Sequence, residues 1–187
     1  MRVILGSASS RRVELLKRVF DNFIVHPSNI DENITSNLSV IKHAKLIAQN
    51  KLIEVRKHFN KDDLIITADT IVVYKNIVYG KPLDNKHAFE MLSVLSGNKH
   101  EVISAYAISY NDNTIVNFDK TTVTFSQITA EEINKYISLD NCCEYAGSYA
   151  IQGIFSKFVK KINGNIDNVI GLPLAKLVID LKNMEIS

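Results

Sequence analysis

Met1-Arg-Val-Ile-Leu-Gly-Ser-Ala-Ser-Ser-Arg-Arg-Val-Glu-Leu15 holds a strand, a loop and a helix start. Val3, Ile4 and Leu5 form an apolar run that Gly6 breaks, which reads as a buried strand. Val13, Leu16, Val19 and Phe20 then recur at helical spacing, with Ser9 or Ser10 placed as a simple cap. The loop between is small and hydroxyl-rich (Ser7, Ser9, Ser10), and it delivers Arg11 and Arg12 to the first helical turn. Helix N-termini expose N–H groups and a partial positive charge, so they suit anions. Two cations there oppose the dipole unless an anion meets them. The plain alternative is a pair of solvated arginines on a short amphipathic helix. Neither a P-loop pattern nor a G-x-G-x-x-G fingerprint is present, so any phosphate site follows another grammar.

Outward from this stretch, strands and helices alternate. Phe23–Val25 reads as a second strand, and Pro27 to Asn37 as a polar loop. Ile41, Ala44, Ala48, Leu52, Val55 and Phe59 step by three and four along one long amphipathic helix. Leu64–Ala68 reads as a buried strand that Asp69 follows. Ile71–Tyr74 and Ile77–Tyr79 flank Lys75-Asn76 as a hairpin. Asp84 caps a helix that Gly97 closes. His100–Tyr110 and Thr114–Ser126 form a long hairpin, and Thr129-Ala-Glu-Glu132 is a capping box. Phe155–Ile162 reads as a strand, and Gly171-Leu-Pro173 opens a last helix with Pro173 in its first turn. The expected class is α/β with a mixed sheet.

Composition narrows the function. A net charge of +2 gives no broad basic field for nucleic acid. No segment reaches the ~20 apolar residues of a membrane-spanning helix, and the N-terminal apolar run is too short for a signal peptide. A cytoplasmic protein without membrane or nucleic-acid partners is expected. Cys142 and Cys143 are adjacent, a poor geometry for a disulfide, and no second pair or spaced His makes a zinc pattern. They read as reduced structural residues.

Several polar residues sit where chemistry is placed. Asp69, at the end of an apolar strand, lies where α/β folds bind ligands, or else caps a turn. Lys81 is fixed between Gly80 and Pro82, and Lys51 borders the apolar face of the long helix; each could equally be solvated. Gln152, between Ile151 and Gly153, offers a donor and an acceptor suited to a nucleobase edge, or satisfies backbone groups near Gly153.

Taken in order, the motifs resemble one family. They are Gly6-Ser-Ala-Ser-Ser-Arg-Arg12 with Glu14-Leu-Leu16, Asp31-Glu32, Ala68-Asp-Thr-Ile-Val72, Gly80-Lys-Pro82, Met91-Leu-x-x-Leu-Ser-Gly97 with His100, Tyr145-Ala-Gly-Ser-Tyr-Ala-Ile-Gln-Gly153 and Asn168-Val-Ile-Gly-Leu-Pro173. Each is weak alone, but in this order they resemble the Maf family of nucleoside triphosphate pyrophosphatases over nearly the whole chain. The resemblance implies one domain over 1–187, an elongated α/β fold of two lobes around a central cleft, similar to inosine triphosphate pyrophosphatases. It implies hydrolysis of a nucleoside triphosphate to monophosphate and pyrophosphate with a divalent cation, Mg²⁺ or Mn²⁺, and a homodimer. Asp69 matches the catalytic proton acceptor. Arg12, Thr70 and Gln152 match positions tied to nucleotide choice, and Ser7, Ser9, Arg11, Glu32, Lys51 and Lys81 match other active-site positions. The form around Gln152 resembles the branch acting on dTTP and UTP. Glu32 and Asp69 are hard oxygen ligands suited to the metal, and Asp69 could serve as base, ligand or both. Ser10 stands where the family usually has Pro, and Leu52 where a small residue is usual. A nucleotide-binding regulator of cell division is the alternative reading.

Overall fold

The computed structural model describes residues 1–30 and 38–186. Among these residues the centre is a seven-stranded mixed sheet of order β2 (Ile24–Val25), β1 (Val3–Leu5), β3 (Leu64–Tyr74), β5 (Lys99–Tyr110), β6 (Asn113–Phe125) and β7 (Val159–Asn163), with β4 (Ile77–Tyr79) pairing β3 off this path. The short strand β1 (Val3–Leu5) lies between β2 (Ile24–Val25) and β3 (Leu64–Tyr74), parallel to both. Three residues suffice because Ile4 and Leu5 are fully buried and Val3 nearly so. Each such side chain contributes ~1.5–3 kcal/mol by leaving water. Register is pinned at the entry to the strand: the Arg2 guanidinium and backbone N–H both donate to the buried Asp63 carboxylate. That bonding holds the Asp63 carboxyl down at about 2.

Helix α1 (Ser10–Leu16) starts where expected but stops at Leu16, so Val19 and Phe20 fall in the turns that follow. Ser9 occupies the cap position without a side-chain capping bond. Helix α2 (Val40–Arg56) buries Ala44, Ile47, Ala48, Lys51, Leu52 and Val55 on one face. The hairpin β3–β4 (Ile77–Tyr79) turns through Lys75 and Asn76, both at positive φ, the geometry that matches strand twist in a two-residue loop. Helix α3 (Asn85–Leu95) is capped by Asp84, which accepts from the His87 N–H, and Gly97 follows it at φ +69°. Strands β5 (Lys99–Tyr110) and β6 (Asn113–Phe125) meet across a tight turn, and α4 (Ala130–Leu139) carries the full Thr129–Glu132 capping box. Helix α6 (Leu174–Asn183) begins one residue after Pro173, which is its cap and not part of its first turn.

Three further expectations need correction. The strand begun at Leu64 does not end at Ala68. It runs eleven residues to Tyr74, with Asp69 inside it. Phe155–Phe158 belongs to a 3-10 turn (Gly153–Phe158), and only Val159–Asn163 pairs as β7, antiparallel to β6. The polar turn before the last helix contains a further short helix, α5 (Ile166–Ile170).

The chain divides into two compact units. One comprises Met1–Asp69, Ser104–Asp119 and Gly171–Ser187; the other comprises Thr70–Ile103 and Lys120–Ile170. Strand β3 passes from the first to the second between Asp69 and Thr70. The second unit is cored by edge-packed rings: Phe125 meets His100, Tyr149 and Phe155, and Phe155 also meets Tyr136. Both cysteines are unbridged thiols, Cys142 buried and raised to about 11 by that burial first.

Candidate functional site

Asp69 is buried in mid-strand, a costly place for a carboxylate without a partner. The partner is Lys51 on α2, whose Nζ lies 3.0 Å from Asp69 Oδ1. Both side chains are almost fully buried, at 7% and 8% exposed. Lys51 Nζ also reaches the Ala68 carbonyl at 3.5 Å. The helix is held against the strand by Thr67, whose hydroxyl donates to the Ala48 carbonyl at 2.7 Å. Ala48 and Lys51 stand one helical turn apart, so this bond sets the height at which the ammonium meets the carboxylate. Lys51 is therefore neither solvated nor at the edge of the buried face; it is part of that face. Asp69 does not cap a turn.

The loop after β1 approaches the same strand. The Gly6 N–H donates to the Ile66 carbonyl at 2.8 Å. A Cβ on Gly6 would stand 2.5 Å from the Thr67 methyl, so only glycine lets the loop leave the sheet so close to Thr67. Ser7 is buried, and its Oγ accepts from the Ser9 N–H at 3.3 Å and from Arg12 Nη1 at 3.1 Å. Arg12 Nε donates to the Gly171 carbonyl at 2.9 Å. This guanidinium is thus aimed by two bonds and not left to rotate in solvent. Arg11 and Ser9 are half-buried beside it. The Gly171 carbonyl is a positioning group the sequence did not reveal. Its motif carried only a helix-start signal, and a backbone acceptor 159 residues away leaves no mark on the local pattern.

The other unit holds Thr70, half-buried on β3, with Lys81 and Gln152 both exposed. Gly80 and Lys81 follow β4, and the Gly80 carbonyl accepts from the Gly147 N–H at 3.0 Å. Gln152 follows two short 3-10 turns (Cys142–Glu144 and Ala146–Ser148) and precedes Gly153, which takes φ +75°. Glu32 lies outside the described residues, as do Asp31 and residues 33–37. Among the described residues no three His, Cys, Asp or Glu side chains gather as a metal site.

Chemically, the first unit offers a buried carboxylate with one oxygen engaged by an ammonium, next in sequence to Thr70. It also offers an arginine held in a fixed direction by a serine and a carbonyl. A carboxylate can accept a proton or ligate a hard cation, and an aimed guanidinium suits a phosphate.

The family description Maf-like protein matches residues 2–184. A dTTP/UTP pyrophosphatase of Clostridium novyi is 44% identical over 180 residues, 95% of this chain and 94% of that protein. A protein of the same description from Clostridium perfringens is 42% identical over 190 residues, covering 100% and 99%. Among solved structures, a nucleoside-triphosphatase/dITP/XTP pyrophosphatase from Mycobacterium abscessus is 12% identical, covers 98% of both chains and has a TM-score of 0.48. With one family pattern spanning residues 2–184 and relatives above 40% identity over almost the full length, this chain belongs to the Maf family.

Proposed function

We propose that the protein hydrolyses dTTP and UTP, and modified pyrimidine relatives, to the monophosphate and pyrophosphate. The observation that carries this reading is the buried Lys51–Asp69 pair, set in a chain 42–44% identical to proteins described as dTTP/UTP pyrophosphatases. Water bonds to phosphorus, the anhydride linking the α- and β-phosphates breaks, and pyrophosphate leaves. Asp69 takes the water's proton, a role that puts a fixed carboxylate within one proton transfer of the nucleophile. Lys51 fixes that carboxylate's direction and balances its charge. Arg11, Arg12 and Lys81 meet phosphate oxygens. Ser7 and the Gly171 carbonyl keep Arg12 aimed, so less ordering is left for the moment of binding.

A divalent cation, Mg²⁺ or Mn²⁺, is part of the proposal. Asp69 fits it chemically, because Lys51 engages Oδ1 and Oδ2 makes no hydrogen bond among the described residues. Glu32 is the second expected ligand. Such a cation, when bound, polarises a phosphate oxygen and acidifies a water. Gln152 faces the base: its amide can donate to a pyrimidine carbonyl and accept from N3–H. A cytoplasmic homodimer completes the proposal; sedimentation measures the oligomeric part. No helix among the described residues is long and apolar enough to cross a membrane.

Pyrophosphate release from a panel of dTTP, UTP, ATP and GTP tests the reading. dTTP and UTP are expected well ahead of the purines. A purine preference refutes the branch, and the absence of any turnover with Mg²⁺ or Mn²⁺ refutes the activity.

A further inference from the structure

The segment from Tyr145 to Gly153 is a strap built of short turns, with no strand or long helix of its own. Gly147 and Ser148 both take positive φ, at 68° and 67°. Ser148 has no glycine's freedom there, so neighbours must hold the strap in shape. Three of its contacts do so, all within the unit of Thr70–Ile103 and Lys120–Ile170. The Gly147 N–H holds the Gly80 carbonyl, one residue before Lys81. Ser148 Oγ donates to Met91 Sδ at 3.2 Å. Tyr149 Oη and His100 Nε2 lie 2.8 Å apart, with both residues buried.

The last contact is the unusual one. His100 is 2% exposed, and its Nδ1 makes no hydrogen bond among the described residues. An apolar ring at this position would pack against Phe125 without burying an orphaned nitrogen. The polar return on placing imidazole here is the single bond to the Tyr149 hydroxyl, three residues before Gln152.

We propose that His100 is a positioning residue for nucleotide selection: through the Tyr149 hydroxyl it fixes the strap that ends at Gln152 and that, through Gly147, holds the turn carrying Lys81. The role rests on the substrate reading above. His100 touches no nucleotide. It sets the direction from which Gln152 meets the base, and a site loosened at that point discriminates less between bases.

The test uses the full chain with Tyr149→Phe, His100→Phe, their combination and His100→Gln. Three quantities are read: kcat and KM for dTTP and ATP, hydrogen exchange of the backbone amides of residues 145–153, and the unfolding midpoint, which sets the folded fraction at the assay temperature. Tyr149→Phe keeps the ring and removes only the hydroxyl. It is expected to speed strap exchange and to lower the dTTP-over-ATP ratio of kcat/KM about tenfold, through KM for dTTP. His100→Phe should match it, the double variant should be no worse than either, and His100→Gln, still able to bond the hydroxyl, should keep most of the ratio. Equal losses on dTTP and ATP, or an unchanged ratio in a protein whose wild type prefers dTTP, overturn the proposal. A wild type without that preference is a separate failure: it removes the substrate reading and this role with it.

Discussion

At the scale of single residues, the Lys51–Asp69 pair changes what a mutation at Asp69 should do. Read from sequence, Asp69→Asn is an isosteric swap at a strand end. In the structure it leaves a buried ammonium facing a neutral amide. Breaking a buried ion pair from one side costs ~3–5 kcal/mol, and the amide oxygen recovers part of that. Asp69→Asn is therefore expected to lower turnover ~10²–10⁴-fold, the usual contribution of a general base, and to lose about 3 kcal/mol in urea unfolding. Adding Lys51→Met should return most of the stability and none of the activity. An Asp69→Asn protein as stable as wild type would show that the pair is not closed in solution. His100 gives a second expectation at this scale. Burial holds its imidazole down at about 4, against 6.5 when exposed. Between those values the unfolded chain binds a proton that the native state refuses, so stability falls as pH drops from 6.5 towards 4. The slope is about 1.4 kcal/mol per pH unit at its steepest. Urea midpoints at several pH values, compared between wild type and His100→Gln, should show the variant losing this slope.

At the scale of elements, most of the fold could be read from local pattern, and the exceptions share a cause. The capping box at Thr129, the Asp84 cap and the Lys75-Asn76 turn are local hydrogen-bonding devices, and each is found where its residues stand. The charge of Asp69 ends the apolar run Leu64–Ala68 without ending strand β3. What carries it through is Lys51, eighteen residues away on another element, together with the β-branched Thr70-Ile-Val-Val73. Within the 3-10 turn at Gly153–Phe158 the apolar Ile154, Phe155 and Phe158 do not alternate as in a strand, and the Ser156 hydroxyl donates to the Gly153 carbonyl, which supports a turn. Helix α5 has five residues, too few to display a period. The candidate site follows the same division: its residue types and order were legible, while the pairing of Lys51 with Asp69 and the aiming of Arg12 by Gly171 were not. The strap gives the prediction for this scale. Gly147 takes φ +68°, and a Cβ there would lie 2.9 Å from Val72 Cγ2. Gly147→Ala adds backbone strain of ~1–2 kcal/mol to a clash that Val72 must yield to. It should lower the unfolding midpoint and reduce kcat/KM for dTTP more than Thr129→Ala, a cap loss of ~1 kcal/mol at a residue given no part in the proposed chemistry.

At the scale of the whole molecule, charge decides whether the protein can hold a triphosphate unaided. Twenty-two Lys and Arg against twenty Asp and Glu leave +2, so there is no broad field to draw in a polyanion. Binding must come from local cations, of which Arg11, Arg12, Lys51 and Lys81 are the proposed set. Lys51 is committed to Asp69 at 3.0 Å, and Arg12 donates to Ser7 and to Gly171. The carboxylates of Asp69 and Glu32 would moreover repel the phosphates they serve. Four cations set against the two carboxylates leave a net +2, less than the charge of a triphosphate, and a bound divalent cation would make up the difference. Hydrolysis of dTTP is therefore expected to stop in excess EDTA and to return with added Mg²⁺ or Mn²⁺, and Lys81→Ala should raise the metal concentration needed for half-maximal rate. Pyrophosphate release at fixed dTTP over a metal titration measures both, and a rate that is unchanged in EDTA would show that the protein's own cations are enough.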